Sequence, residues 1–98
     1  MLNIVNRSPL ERNSFATCLR LAAPGAILLI EDAVYGALAG TAFTPQLEAA
    51  LARFRVYALK PDLDARAVTD RVAAGVTLID YEGFVDLVAE HHACQSWL

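Results

Sequence analysis

Positive charge is scarce in this sequence: eight lysines and arginines stand against eleven acids, for a net charge of −3, and the basic residues nowhere form a run. Recognition of a nucleic acid needs a clustered positive footprint for its phosphates, so direct nucleic-acid binding is not expected of this chain. Long apolar runs are also missing, so no segment reaches the length of a transmembrane helix and no membrane partner is expected. Residues 1–7 have neither a basic stretch ahead of their apolar residues nor the length of a signal peptide. The expectation is a cytoplasmic protein whose only two cysteines, Cys18 and Cys94, are kept reduced. There is no G-x-G-x-x-G and no P-loop. Gly36 and Gly40 are wrongly arranged to cradle a phosphate, and the acids nearby would repel one.

What is abundant is apolar side chain, at 56% of 98 residues. Much of this is Ala, yet Val34, Tyr35, Leu38, Phe43, Trp97 and Leu98 are hard to hide in one small domain, so apolar surface should remain for a partner and an oligomer is expected. The chain organises around residues 24–32, Pro-Gly-Ala-Ile-Leu-Leu-Ile-Glu-Asp. Five apolar residues between a turn signal and an acidic pair mark a strand buried on both faces. Such a strand needs cover above and below. The expected fold is therefore α/β, a single three-layer α/β/α domain over residues 1–98 with a mostly parallel sheet.

Around that strand the remaining elements alternate. Residues 2–5 read as the first strand and residues 14–23 as a helix with Phe15, Cys18, Leu19 and Ala22 on one side. After the central strand, residues 33–40 read as a loop or irregular helical turn. Thr44-Pro45 starts a helix, with Thr44 as N-cap, carrying Leu47, Ala50, Leu51 and Phe54. Residues 55–59 form a third strand. Pro61 opens a short helix with Leu63, Ala67 and Val68 inward. Residues 76–80 form a fourth strand, and residues 81–90 a helix with Phe84, Val85 and Val88 toward the sheet and Leu87 beside them. The tail, residues 93–98, is either docked on the body or buried by another subunit. Strand-helix alternation implies right-handed crossovers throughout.

In such a sheet the working end lies beyond the carboxyl ends of the strands, here at Asn6, Arg7, Glu31, Asp32, Lys60, Asp62, Asp80 and Tyr81. Glu31 and Asp32 could hold Mg²⁺ as in a phosphoryl-accepting domain, but Asn6-Arg7 stand where a second set of acids is needed, so capping or solvated carboxylates are the simpler reading. His91, His92 and Cys94 lack a second ligand pair, and no metal is expected. The thiols remain. Cys18 lies mid-helix on the flank of an apolar stripe and is either a small buried hydrophobe or a thiol that carries sulfur or meets another subunit's cysteine. It gains nothing from a helix N-terminus or from Arg20, which makes it a poor lead nucleophile. Cys94 should be more accessible. A bond between the two would require the tail to fold back over the first helix.

Several stretches together resemble the DsrH/TusB family of sulfur-relay proteins: Asn6-Arg7-Ser8-Pro9, residues 29–35, residues 56–59 with Asp62-Leu63 and Ala65-Arg66, Ile79-Asp80-Tyr81 with Phe84-Val85, and Gln95-Ser96-Trp97-Leu98. The order is kept over the whole chain. The resemblance implies a heterohexamer with DsrE/TusD-like and DsrF/TusC-like subunits, a DsrC/TusE-like sulfur acceptor, and no cofactor. It also implies that the main sulfur-carrying cysteine is on a partner, with Cys18, which matches the cysteine on the first helix of DsrH-type chains, as an auxiliary persulfide carrier. That cysteine favours the sulfur-oxidation branch over the branch serving tRNA wobble-uridine 2-thiolation. A purely structural oligomer subunit is the further alternative. Ala33 departs from the glycine common in the family, and Cys94 inherits no role.

Overall fold

The computed structural model describes residues 1–97. Leu98, counted above among the apolar side chains, lies outside them. Five strands form one sheet in the order β4-β3-β2-β1-β5, all parallel. They are β1 (Leu2–Val5), β2 (Ala26–Leu29), β3 (Arg55–Leu59), β4 (Thr77–Ile79) and β5 (Cys94–Trp97). The helices are α1 (Ser14–Leu21), α2 (Thr44–Ala50), α3 (Lys60–Ala65) and α4 (Tyr81–Glu90), with 3₁₀ turns at Glu31–Ala37 and Thr69–Arg71. The greasy run takes the middle position. All four residues of β2 are fully buried, as expected of a strand covered on both faces.

The two faces are covered unequally. On one, Val5, Ile27, Leu29, Val56 and Ala58 pack with Phe15 and Cys18 of α1, Leu47 and Ala50 of α2, Leu63 of α3, and the 3₁₀ turn at Glu31–Ala37. On the other, Leu2, Ala26 and Leu28 meet Leu87 of α4, with Ile4, Ile30, Tyr57, Ile79 and Phe84 only partly buried around them. Strand alternation sends odd and even residues to these two sides. A single ten-residue helix is thus the third layer.

Several local expectations are corrected. Of the two places expected for the tail, the structure shows the first, docked on the body, in a form not foreseen: Cys94–Trp97 is a fifth strand, paired in parallel with β1 and anchored by the Trp97 Nε1–H bond to Asn3 Oδ1 (3.1 Å). Asn3, buried within the sheet, passes the link on by donating from Nδ2 to the Ala26 carbonyl at 3.2 Å. Thr44 is the first helical residue of α2, not its cap. Its Oγ1 accepts from Thr41 N and donates to the Leu38 carbonyl, while Thr41 Oγ1 accepts from Phe43 N. The helix ends at Ala50, so Leu51 and Phe54 belong to the following turn. Ala67 is exposed in a left-handed conformation (φ 55°), and Val68 goes inward instead.

The α4 stripe is rotated from its expected setting. Leu87 is the buried residue and Phe84 is partly buried, whereas Val85 and Val88 face out. Residues 84, 85, 87 and 88 are all apolar, so composition alone offered two competing inner faces. The helix start is as read: Asp80 Oδ1 accepts from the Gly83 N–H at 2.8 Å. Replacing Asp80 by Ala is expected to cost about 1 kcal/mol, seen as a lower midpoint in urea unfolding with an unchanged slope.

Candidate functional site

The carboxyl ends of β2 and β3 carry the densest polar arrangement. The chain leaves β2 through Glu31, whose backbone is left-handed (φ 51°) although it is not glycine. Such a conformation costs of order 1 kcal/mol and needs support from its surroundings. Support comes from α3: the Glu31 N–H donates to Asp62 Oδ2 at 2.6 Å. Arg66, just past α3, donates from Nε and Nη2 to Asp32 Oδ1 (3.0 and 2.8 Å) and from Nη1 to the Asp62 carbonyl (3.0 Å). Its pKa is raised, chiefly by the hydrogen bond to Asp32. The stretches around Glu31-Asp32 and Asp62 to Arg66 are therefore one clamp, which ties the turn after the central strand to the helix after its neighbour. Ala33 sits fully buried in that turn without a positive φ, so the missing glycine is accommodated.

This clamp answers the Mg²⁺ reading of the acidic pair. Asp32 is engaged by the Arg66 guanidinium, and Glu31 is itself the left-handed residue of the turn. Among the described residues no group of three or more His, Cys, Asp or Glu is placed to hold a metal. Lys60 pairs with Asp64 at 2.9 Å, and the Asp64 carboxyl is held below the usual range by hydrogen bonds from Thr69 first and Lys60 second. At the end of β1 the Asn6 Oδ1 is buried without a hydrogen-bond partner among the described residues. A hollow of about 370 Å³ is lined by Ser8, Leu10, Glu11, Asp32 and Tyr35.

The thiols fall on opposite sides of the sheet. Cys18 is fully buried between α1 and the larger core, and burial pushes its pKa up to about 11. Both the raised pKa and the burial of the sulfur disfavour reaction as a thiolate in this conformation. Cys94 is exposed on the edge strand β5 and registers with Leu2, which faces α4. Both are free, and the sheet between them excludes the fold-back disulfide. His91 turns back on its own helix, donating from Nδ1 to the Leu87 carbonyl at 2.7 Å.

Compared with known proteins, residues 7–94 match the family described as DsrH like protein. The chain belongs to the DsrH family. This DsrH-family chain is 38% identical over 98 residues to Protein TusB of Escherichia coli strain K12, covering 99% of this chain and 100% of that one. The likeness to Protein TusB of E. coli O81 strain ED1a has the same extent. Two solved structures share the architecture. The crystal structure of ychN protein from E. coli superposes with a TM-score of 0.79 at 19% identity, covering 97% of both chains. The solution structure of Protein Tm0979 from Thermotoga maritima gives 0.63 at 28% identity, covering 93% of this chain and 94% of that one. The first shows the fold alone. No helix of this DsrH-family chain, among the described residues, is long and apolar enough to cross a membrane.

Proposed function

We propose that this chain is a TusB-like subunit of a sulfur-relay assembly serving tRNA wobble-uridine 2-thiolation. The observation that carries the reading is its end-to-end likeness to Protein TusB. This reverses the preference drawn from the sequence for the sulfur-oxidation branch, which rested on the presence of Cys18. The partners in this reading are DsrE/TusD-like and DsrF/TusC-like subunits, and the recipient is a DsrC/TusE-like acceptor.

The chemistry of such a relay is thiol exchange. An acceptor thiolate attacks the outer sulfur of a donor persulfide; the S–S bond breaks, a new S–S bond forms on the acceptor, and the donor leaves as a thiolate, so no external oxidant is needed. The rate depends on thiolate fraction, leaving-group pKa and access. Cys18 is poor in the first and third of these, with a raised pKa and a buried sulfur. Its role in this proposal is packing, and the transferable sulfur is held by a cysteine of a partner subunit. The oxidation reading keeps one specific support, the presence of a thiol on α1.

Deletion of the gene in its source organism, with nucleoside mass spectrometry of total tRNA, tests the assignment. Loss of 2-thiouridine derivatives, restored by the wild-type chain and by a Cys18→Ala chain, is expected. Unchanged tRNA thiolation together with lost growth on reduced sulfur would instead select the oxidation branch.

A further inference from the structure

The edge strand β5 is held differently from the rest of the sheet. Among the described residues it pairs with β1 alone, and Cys94, Gln95 and Ser96 are exposed. At the opposite edge β4 sends Leu78 to one core and Ile79 to the other, whereas β5 contributes only Trp97, half-buried against the larger core. Few buried apolar contacts and solvent-exposed ladder bonds mark a segment that opens ahead of global unfolding. The attachment of α4 is separate. That helix ends at His91, which has extended backbone and closes on the Leu87 carbonyl, and Leu87 is anchored with Leu2, Ala26 and Leu28 on the face away from Trp97. His92 and Ala93, which join it to β5, are exposed.

One side-chain pair fixes β5 in place. Gln95 and Trp97 register with Asn3 and Val5, and the Trp97 Nε1–H reaches back to Asn3 Oδ1, the one side-chain hydrogen bond from β5 to the rest of the described residues. Asn3 is 2% exposed, the only polar residue of β1, and its Nδ2 is already engaged by the Ala26 carbonyl. The backbone ladder alone tolerates other registers, because Cys-Gln-Ser-Trp has no alternation to choose among them. A slip of one residue would turn Trp97 to the other face, and a slip of two would carry the indole roughly 7 Å from Asn3. Either leaves a buried amide oxygen unpaired, whereas full release gives that oxygen to water. We infer that β5 is a strap: it leaves β1 as a unit, hinged at residues 91–93, while the other four strands and α4 stay folded, and the Trp97–Asn3 pair sets how often it does so. Release uncovers the outer edge of β1 and the Asn3 amide. The inference stands apart from the relay reading.

Native-state hydrogen exchange of the full chain, read by NMR, tests it with reporters already in place. The Leu2 N–H donates to the Ala93 carbonyl and, with the indole N–H of the single tryptophan, reports β5. The Ile30 N–H on Val5 and the Arg55 N–H on Gly25 report the β1–β2 and β2–β3 pairings. Leu2 and the indole should share one opening constant, at least about tenfold larger than those of Ile30 and Arg55. Asn3→Leu, which keeps the branched shape without the amide, and Trp97→Phe, which keeps a ring without the donor, should each raise the Leu2 constant about tenfold. Asp80→Ala, which weakens α4, should raise the Arg55 constant about fivefold and leave the Leu2 constant unchanged. Leu2 and the indole exchanging no faster than Arg55 would mean that the sheet opens as one, and the strap is overturned. A Leu2 constant unmoved by Trp97→Phe overturns the lock even if Asn3→Leu does not fold, and a Leu2 constant raised by Asp80→Ala overturns the hinge, since α4 would then leave with β5.

Discussion

Iodoacetamide added to the native chain is expected to label Cys94 within its ordinary reaction time and to leave Cys18 unlabelled. The difference follows from position, since Cys94 is exposed on an edge strand and Cys18 is fully buried among the helices of the larger core. Alkylation of Cys18 then requires an opening of the core, and its rate is reduced by the population of the open form. For a domain stable by roughly 5 to 15 kcal/mol, that is a reduction of at least about a thousandfold when opening is global. Mass mapping of alkylated peptides in native buffer and in urea measures it. Equal labelling of both cysteines in native buffer would contradict the placement of Cys18.

The same burial predicts a pH dependence. The folded-state pKa of Cys18 is about 11, above the ordinary thiol value of 9.0. Because the folded chain holds this proton more tightly, the associated stability is complete below pH 9 and is lost as pH rises toward 11. A two-unit displacement corresponds to about 2 to 3 kcal/mol. The stability difference between the wild type and Cys18→Ala, followed by urea unfolding across that window, should therefore shift toward the variant by about that amount. A difference independent of pH would mean that the thiol is not desolvated.

A larger loss of stability is expected at the contact between α1 and the 3₁₀ turn. Phe15 is fully buried, and its ring centroid lies 4.9 Å from that of Phe43. Gly36 presses against the same ring: a Cβ there would stand 2.8 Å from Cδ2 and Cε2 of Phe15 and 3.1 Å from Cγ of Pro9. Phe15→Ala should cost about 3 to 5 kcal/mol through lost contacts and a cavity. Gly36→Ala should cost about 1 to 3 kcal/mol by overpacking. The two sites share one contact and should not be additive. In a Phe15→Leu background the Gly36→Ala penalty is expected to shrink, which a double-mutant cycle in urea detects. Additive costs would show that the ring is not what confines residue 36.

The central strand was legible because five apolar residues between a turn and an acidic pair have few other homes, and it occupies the middle of the sheet. The β3 bounds and the start of α4 at Tyr81 were equally readable, although Asp80 was counted as the end of the fourth strand and not as the cap it is. β5 was not. Cys94–Trp97 has one large apolar residue in four, so no alternation marks it. Its place depends on pairing with β1, more than ninety positions away in the sequence. The inward face of α4 was only partly read, Phe84 rightly and Val85 and Val88 wrongly placed toward the sheet, because four of its apolar residues compete for one contact. At the rim, the acids after β2 were recognised, but their partner was not. Asp32 and Arg66 are 34 positions apart, and only the fold places them side by side. Cys18 was left open between packing and chemistry for the same reason, since burial belongs to tertiary structure.

The account turns on a subunit that contributes surface to a sulfur relay while its buried thiol stays out of the transfer. Mass spectrometry of the assembled complex after loading with polysulfide tests this most directly. The account predicts one added sulfur on a cysteine of a partner subunit and none on the peptide containing Cys18. Added sulfur on Cys18, passed on to the acceptor protein during a single turnover, would contradict it.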